Sequence, residues 1–245
     1  MAVPTFEQRR AAQLYDPLDP DRSDLDAYLA MVAEFGASSV LDIGCGTGTF
    51  ACMLAERGIA VVGVDPDAAS LEVAQAKTRA RTQAEARVRW IHGYASDLPE
   101  LAVDMTTMTA NVAQAIVTDE DWDSTLRAAF AALRQGGRLV FETRVPAVKA
   151  WLSWNREDSF RRTDVPGFGI IEHWYDLLDV SGPLVTFRGS CRFADGSLQT
   201  STSTLRFRSR EEVSASLTAA GYAVDAIRGA PDRPGREMVF IARRP

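Results

Sequence analysis

Short apolar runs alternate with amphipathic stretches through the middle of this chain. The runs are rich in Val, Ile and Leu and have the length of strands; they cover residues 40–43, 59–64, 88–92, 101–110 and 137–143. Between them, residues 68–81 and 122–135 are rich in alanine and carry their charges on one side, as helices that cover a sheet do. Gly136 and Gly137 are a typical stop for the second helix. This alternation predicts an α/β fold with a doubly wound, mostly parallel sheet.

The alternation of apolar runs and amphipathic stretches ends after the fifth run. Residues 145–169 are rich in Pro, Trp and Arg, and residues 170–209 alternate with the two-residue period of strands around a hairpin turn signal at 194–197. A helix at 210–220 and strands at 222–228 and 238–242 complete a predicted seven-stranded sheet. The expected parts are N-terminal lid helices (1–37), a core (38–144 and 210–245) and an antiparallel β insertion over the site (145–209).

Composition narrows the functional classes. A chain of 245 residues, 46% of them hydrophobic, can bury one large core. Its net charge of −6 opposes binding to phosphate backbones and anionic lipid, so we expect neither a nucleic acid nor a membrane as partner. The three cysteines lack metal-binding or disulfide spacing, and no apolar run approaches the ~20 residues of a membrane helix. We therefore expect a cytoplasmic protein without a metal site.

The most specific motif is a glycine-rich turn. An apolar run ends in Asp42 and Ile43 and is followed by Gly44, Gly46 and Gly48. Glycines at these positions allow positive φ and let a ligand approach the backbone N–H groups. The dinucleotide spacing GxGxxG needs a small residue one position after the last of these glycines, where this chain has threonine. The sequence therefore predicts a cofactor turn with the spacing GxGxG.

This spacing, with an acid two positions before the first glycine, resembles the class I S-adenosylmethionine-dependent methyltransferases of the small-molecule type. The resemblance covers residues 38–144 and the last strands. It implies a Rossmann-like core, S-adenosyl-L-methionine as cofactor and S-adenosyl-L-homocysteine as product. In the turn it implies cofactor contacts from Asp42, Gly44, Cys45, Gly46 and Gly48.

Two later strand ends carry further candidate cofactor residues. Asp65 and Pro66 follow the second strand about 20 residues after the turn, where a carboxylate can accept both ribose hydroxyls. An acid after a strand also serves as the N-cap of the next helix. After the third strand, the resemblance places Ala95, Ser96 and Asp97 beside the adenine, although Asp97 also suits an ordinary turn.

Three more residues complete the predicted cofactor site. By resemblance, Asn111 lies near the methionine end or the methyl group, and the N-terminal segment is a lid. In that lid, Tyr15 would cover the sulfonium through a cation–π contact and Arg22 would meet the methionine carboxylate. The alternatives are that Asn111 caps the following segment, that Tyr15 is a core anchor and that Arg22 is a solvated charge.

Methyl transfer requires mainly alignment of the partners, so a dedicated base is optional. If a base is used, His173 is the first candidate because it lies among aromatic residues of the insertion. Glu142 and Arg144 are the other catalytic candidates; they lie at the carboxyl end of the fifth strand, where Arg144 would pair with an acidic substrate group. A salt bridge between them is the alternative. Trp151, Trp154 and Trp174 are candidates for an apolar acceptor pocket.

These signals favour methyl transfer to an O, N or C nucleophile of a small organic metabolite. The chain lacks the Asn/Asp-Pro-Pro-aromatic and Pro-Cys segments typical of nucleic-acid methylation. Three alternatives stay open: a nicotinamide-dependent Rossmann oxidoreductase, a non-catalytic S-adenosylmethionine-binding module, and a methyltransferase that acts on protein. Acceptor identity and oligomeric state have no signal in the sequence.

Overall fold

Two sheets organise the computed structural model, which describes residues 3–81 and 86–245. The strands are β1 Ser39–Ile43, β2 Ala60–Asp65, β3 Val88–His92, β4 Val103–Met108, β5 Leu133–Arg144, β6 Arg161–Val165, β7 Gly169–Ser181, β8 Leu184–Arg192, β9 Leu198–Arg206, β10 Ala223–Gly229 and β11 Glu237–Arg243. The larger sheet has seven strands in the order β10-β11-β5-β4-β1-β2-β3. Strands β1 to β5 are parallel, whereas β11 runs antiparallel to β5 and to β10. The predicted doubly wound, mostly parallel sheet is confirmed.

Helices cover both faces of this sheet. Those described are α1 Phe6–Leu18, α2 Asp26–Glu34, α3 Thr49–Glu56, α4 Ala68–Arg79, α5 Val112–Ala115, α6 Asp119–Ala132, α7 Arg156–Ser159 and α8 Arg210–Ala219. On one face, Trp122 of α6 packs edge-on against Phe141, which stacks on Phe240. On the other face, Phe50 and Leu54 of α3 join a buried cluster with Val40 of β1. No helix among the described residues is both long and apolar enough to cross a bilayer.

The fifth strand begins earlier than the sequence predicts. Thr118 caps α6 by accepting the N–H of Asp121, and the helix ends at Ala132 rather than at residue 135. Strand β5 then starts at Leu133, and its pairing with β4 is irregular just after that residue. The two glycines expected to stop the helix therefore lie within the strand, because a bulge can use glycine just as a helix end does.

The second sheet is antiparallel, with the order β6-β7-β8-β9. The predicted turn at residues 194–197 joins β8 to β9, and Gly196 there has a φ of +83°. Helix α1 packs against this sheet: Leu14 lies in a buried cluster with Ile171 and Phe193. The guanidinium of Arg10 stacks on the Phe193 ring at 3.6 Å. Helix α1 thus joins the insertion to the core.

Candidate functional site

The three glycines of the turn are required for different reasons. All have positive φ, at +70° for Gly44, +52° for Gly46 and +76° for Gly48. A Cβ on Gly44 would lie 2.6 Å from Val112, and one on Gly48 would lie 2.5 Å from Trp90. A Cβ on Gly46 would meet no protein atom within 4 Å. Packing therefore explains two of the glycines, whereas Gly46 leaves an open approach to the backbone.

Two acids support the turn from the strands. The Asp65 carboxylate accepts the N–H groups of Gly46 and Asp67, each at 2.8 Å. Burial raises the pKa of Asp65. Asp42 is fully buried and accepts the Thr107 hydroxyl at 2.9 Å. Burial raises the pKa of Asp42 to about 7, and the nearby Asp65 acts in the same direction.

Two adjoining cavities open above the carboxyl ends of the strands. The smaller, of about 140 Å³, is lined by Gly44, Cys45 and Gly46 together with side chains of α3 and α4. The larger, of about 630 Å³, lies between α1, α2, the ends of β4 and β5, and the second sheet. They share Tyr15 and Arg22, and also Ala110. The shared residues mark the junction between the two spaces.

A buried polar network lines the larger cavity. The carboxylate of Glu142 accepts the Tyr28 hydroxyl and, at 2.5 Å, the Asn111 N–H. Asn111 also donates its side-chain N–H to Glu237 at 3.1 Å, and Glu237 pairs with Arg233 at 2.9 Å. Burial raises the pKa of Glu142 to about 7. Glu142 is thus suited to accept a proton near neutral pH.

Asn111 has an unsatisfied oxygen in this network. The residue is 5% exposed, and its Oδ1 has no hydrogen-bond partner among the residues that the structure describes. A buried acceptor without a partner costs free energy. The residue lies in the left-handed region, at a φ of +61°, and lines the larger cavity. The oxygen is therefore available to a donor group of a bound molecule.

Arg144 and His173 lie on the wall of the same cavity. Arg144 donates to the buried Gln114 at 2.8 Å, and its guanidinium lies 5.6 Å from the Trp154 ring centre. The alternative of a salt bridge between Glu142 and Arg144 is not realised, because Glu142 is bonded to Tyr28 and Asn111 instead. His173 lies 3.4 Å from the Thr163 hydroxyl, and burial together with Arg161 lowers its pKa. His173 is therefore neutral near pH 7.

The tryptophans of the insertion separate into two groups. Trp174 lines the larger cavity. Trp151 packs edge-on against Phe207 at 4.6 Å, and Trp154 packs against Phe187 at 4.7 Å. Neither of these two lines the described cavities. These ring contacts hold the segment that follows β5 against strand β8 and against the residue that follows β9.

Asp16 on α1 fastens this helix to the glycine turn. Its carboxylate accepts the hydroxyls of Thr47 at 2.8 Å and Thr49 at 3.0 Å. Lys77 pairs with the same carboxylate at 2.6 Å. Arg9 makes a second, exposed connection to Glu72 of α4. These contacts hold Tyr15 over both cavities.

The structure brings together part of the predicted site. Tyr15, Arg22, Gly44, Cys45 and Gly46 line the smaller cavity, and Asn111, Glu142, Arg144 and His173 line the larger one. Predicted residues that line neither are Asp42, Gly48, Asp65, Pro66, Ala95, Ser96 and Asp97. Asp97 instead accepts the Tyr94 N–H at 2.8 Å. The ribose and adenine assignments stay predictions.

Sequence reasoning missed two important members of the site. Tyr28 lies on α2, where the apolar spacing 25, 28, 31 and 32 indicates only a buried helix face. Glu237 is the first residue of β11 and pairs in register with Arg144. An acid at the start of a buried strand was the available signal, but its partner Asn111 is 126 positions away in the sequence.

Comparisons with known proteins agree with this geometry. The family described as "Methyltransferase domain" matches residues 40–137. The segment that contains the glycine turn thus belongs to the methyltransferase domain family. An uncharacterized methyltransferase of Mycobacterium tuberculosis (strain CDC 1551 / Oshkosh) is 34% identical over 120 residues, which are 48% of this chain and 56% of the relative. The chain spans about half the length of the curated relatives it matches.

Solved methyltransferase structures share the whole fold. An S-adenosylmethionine-dependent methyltransferase from Clostridium acetobutylicum ATCC 824 has a TM-score of 0.78 and 17% identity, covering 96% of this chain and 97% of that one. A sugar N-methyltransferase from Streptoalloteichus sp ATCC 53650 has a TM-score of 0.76 and 19% identity, covering 100% and 94%. At these identities the similarity shows the fold alone, including the second sheet.

Proposed function

We propose that this protein transfers a methyl group from S-adenosyl-L-methionine to a nucleophile of a small organic molecule. The observation that carries the proposal is the junction of two cavities, one bordered by the glycine turn and the other by a buried carboxylate of near-neutral pKa. A sugar N-methyltransferase is among the proteins of the same fold. A cavity of about 630 Å³ has the size of a site for a small molecule.

The residues around the smaller cavity fit the cofactor. Gly46 leaves the backbone open, whereas a Cβ there would fill this space. Tyr15 and Arg22 lie where the two cavities meet, so they are suited to the methionine part of the cofactor. When bound, S-adenosyl-L-methionine supplies a methyl group already activated on a sulfonium. Asp65, through its contact with Gly46, keeps the turn in position.

Glu142 is the base in this proposal, in preference to His173. A nucleophile that carries a proton must release it, and Glu142 is a buried carboxylate that lines the acceptor cavity. The Tyr28 hydroxyl and the Asn111 N–H fix the orientation of this carboxylate. Asn111 Oδ1 is available to hold a donor group of the acceptor. Alignment and water exclusion by α1 and the second sheet supply the rest.

Calorimetric titration with S-adenosyl-L-homocysteine, beside NAD and NADP in the same buffer, tests the proposal. We expect saturable binding of S-adenosyl-L-homocysteine and none of the nicotinamide cofactors. Transfer of labelled methyl from S-adenosyl-L-methionine to a panel of small amines, alcohols and acids then tests catalysis. Preferential NAD or NADP binding would overturn the cofactor assignment. Cofactor binding without turnover on any acceptor would support a non-catalytic module.

A further inference from the structure

We propose that the larger cavity contains an oxyanion subsite formed by Arg144 and Arg161, so that the acceptor carries a carboxylate or phosphate group besides its nucleophile. The inference rests on the proposed function and specifies its substrate class. Its starting point is the pairing of the arginines around the cavity. Arg22 pairs with Asp24 at 3.1 Å, and Arg233 pairs with Glu237 at 2.9 Å. These two cations are already neutralised.

Arg144 and Arg161 differ from them. Both line the cavity, yet within residues 3–81 and 86–245 no carboxylate lies within ion-pair distance of either guanidinium. In the described part of the chain, Arg161 donates only to backbone carbonyls, those of Asp158 and Phe160. A guanidinium has five N–H donors, so most donors of both side chains are available.

Arg144 is also held in place before any ligand binds. Gln114, which is fully buried, accepts from the Arg144 side chain at 2.8 Å, and the Trp154 ring lies beside the guanidinium. The side chain is partly buried, and burial lowers its pKa, an effect that the carboxylates of Glu237 and Glu142 offset only in part. Retaining a charge in such a place is costly unless an opposite charge arrives. A bound oxyanion would supply it.

The register of the second sheet places Arg161 on the cavity side. Arg161 pairs with His173, and His173 pairs with Cys191, so these side chains share one face of the sheet. All three residues line the cavity. His173 is neutral near pH 7 and is suited to a hydrogen bond rather than to charge pairing. The subsite is thus a positively charged part of the cavity wall, whereas the buried polar network contributes the carboxylates of Glu142 and Glu237.

The spacing along β5 limits the size of the acceptor. Glu142 and Arg144 are two residues apart, so both side chains lie on the same side of the strand and their Cα atoms are about 7 Å apart. An anionic group at Arg144 would therefore leave the nucleophile of a small molecule within reach of Glu142. Repulsion between that group and the Glu142 carboxylate would disfavour the reversed orientation.

Titration of inorganic phosphate into the protein saturated with S-adenosyl-L-homocysteine tests the subsite. We expect saturable binding, and we expect Arg144→Met and Arg161→Met each to weaken it about tenfold or more, because each removes a charge-assisted hydrogen bond. Affinity for S-adenosyl-L-homocysteine is expected to stay unchanged. Since Arg161 is exposed, Arg161→Met keeps the test decisive even if Arg144→Met folds poorly.

Arg162→Met is the matched control. Arg162 is the next residue of β6 and pairs with Glu172, so its side chain lies on the other face of the sheet. It is exposed and does not line the cavity. We expect its phosphate affinity to equal that of the wild type. Equal weakening in all three variants, or no saturable phosphate binding to the wild type, would refute the subsite.

A second experiment distinguishes a site for free anions from a site for an anionic group of the acceptor. An amine and the same amine bearing a phosphate ester are compared in turnover with labelled S-adenosyl-L-methionine. We expect higher kcat/KM for the phosphorylated partner and loss of this preference in Arg144→Met. Phosphate binding without any preference would mean a free-anion site and would overturn the substrate inference. A failure to bind S-adenosyl-L-homocysteine would instead refute the proposed function.

Discussion

At the level of single residues, a substitution at Gly46 can test access of the cofactor without disturbing side-chain packing. Gly46→Ala would add a methyl group that meets no protein atom, at a φ of +52°. The strain should cost about 1–2 kcal/mol of unfolding free energy, and the methyl group should obstruct the cofactor. We expect weaker binding of S-adenosyl-L-homocysteine by calorimetry, alongside the loss of stability by chemical denaturation.

Gly36→Ala provides the comparison. Gly36 has a φ of +61°, and a Cβ there would also meet open space, but it lines neither cavity. It should lose similar stability while keeping full affinity for S-adenosyl-L-homocysteine. Equal affinity in both variants would show that the cofactor does not approach Gly46.

Glu142 should determine the pH dependence of turnover. Its pKa of about 7 means that the proton-accepting form increases as pH rises through neutrality, so the rate should rise with a midpoint near 7. Glu142→Gln should lower kcat roughly 10²- to 10⁴-fold and remove this pH step. Binding of S-adenosyl-L-homocysteine, measured in parallel, should change little.

Tyr28→Phe gives a separate readout for the same carboxylate. The Tyr28 hydroxyl stabilises the ionised form of Glu142 and thereby lowers its pKa. Its removal should move the midpoint of the rate profile to higher pH. A profile unchanged in both variants would exclude Glu142 as the base.

At the level of elements, α1 borders both the smaller cavity, proposed for the cofactor, and the larger cavity, proposed for the acceptor. Asp16 accepts the hydroxyls of Thr47 in the turn and Thr49 at the start of α3, and it pairs with Lys77 in a partly buried setting. Asp16→Ala should loosen α1, seen as faster hydrogen exchange of its amides, and should speed dissociation of S-adenosyl-L-homocysteine. Loss of a partly buried charged group with three partners should cost about 2–3 kcal/mol.

Arg9→Met is the control for this helix. It breaks the exposed pair with Glu72, which also joins α1 to α4. Exposed ion pairs contribute about 0–1 kcal/mol, so exchange and dissociation should stay near wild type. If Arg9→Met acted as strongly as Asp16→Ala, the anchor at the glycine turn would not be the controlling contact.

Elements with strong local patterns could be predicted from the sequence. Continuous apolar runs located β1 to β4, and an alanine-rich amphipathic stretch located helix α4, each within a few residues, because these signals lie in adjacent residues. The start of β5 could not be predicted, since Gly136 and Gly137 serve equally as a helix stop or a strand bulge. The hairpin turn at Gly196 was recognisable because its glycine requirement is local.

At the scale of the whole molecule, sequence reasoning fails for contacts between residues that are far apart in the chain. The turn at Gly44 to Gly48 could be recognised because its chemistry lies in adjacent residues. The bond between Tyr28 and Glu142 joins residues 114 positions apart, and that between Asn111 and Glu237 joins residues 126 apart. Such contacts depend on the order of strands β4, β5 and β11, which no local pattern encodes.

Two buried carboxyl groups should control the stability of the whole fold around neutral pH. Burial raises the pKa of Asp42 from 3.8 to about 7, and Glu142 is shifted in the same direction. Between pH 3.8 and about 7, Asp42 is ionised in the unfolded chain but protonated in the folded protein, so the folded state binds more protons. Stability therefore falls as pH rises from about 4 to 7.

Asp42→Asn isolates this effect. Because a tenfold change in proton affinity corresponds to about 1.4 kcal/mol, Asp42 should account for up to about 4 kcal/mol of that fall. The asparagine can still accept the Thr107 hydroxyl and does not titrate, so urea unfolding of the variant should depend less steeply on pH across this window.

Asp104→Asn should behave in the opposite way. Burial raises the pKa of Asp104, but N–H groups of Ser38 and Ser39 outweigh burial, and the net pKa lies below 3.8. The stability that Asp104 contributes is present above its unfolded pKa and is lost as pH falls through its folded pKa. Asp104→Asn should thus lose stability near neutral pH and leave the slope between pH 4 and 7 unchanged. If Asp42→Asn keeps the wild-type slope in that window, Asp42 is ionised in the folded protein, and the hydrogen bond from Thr107 outweighs burial.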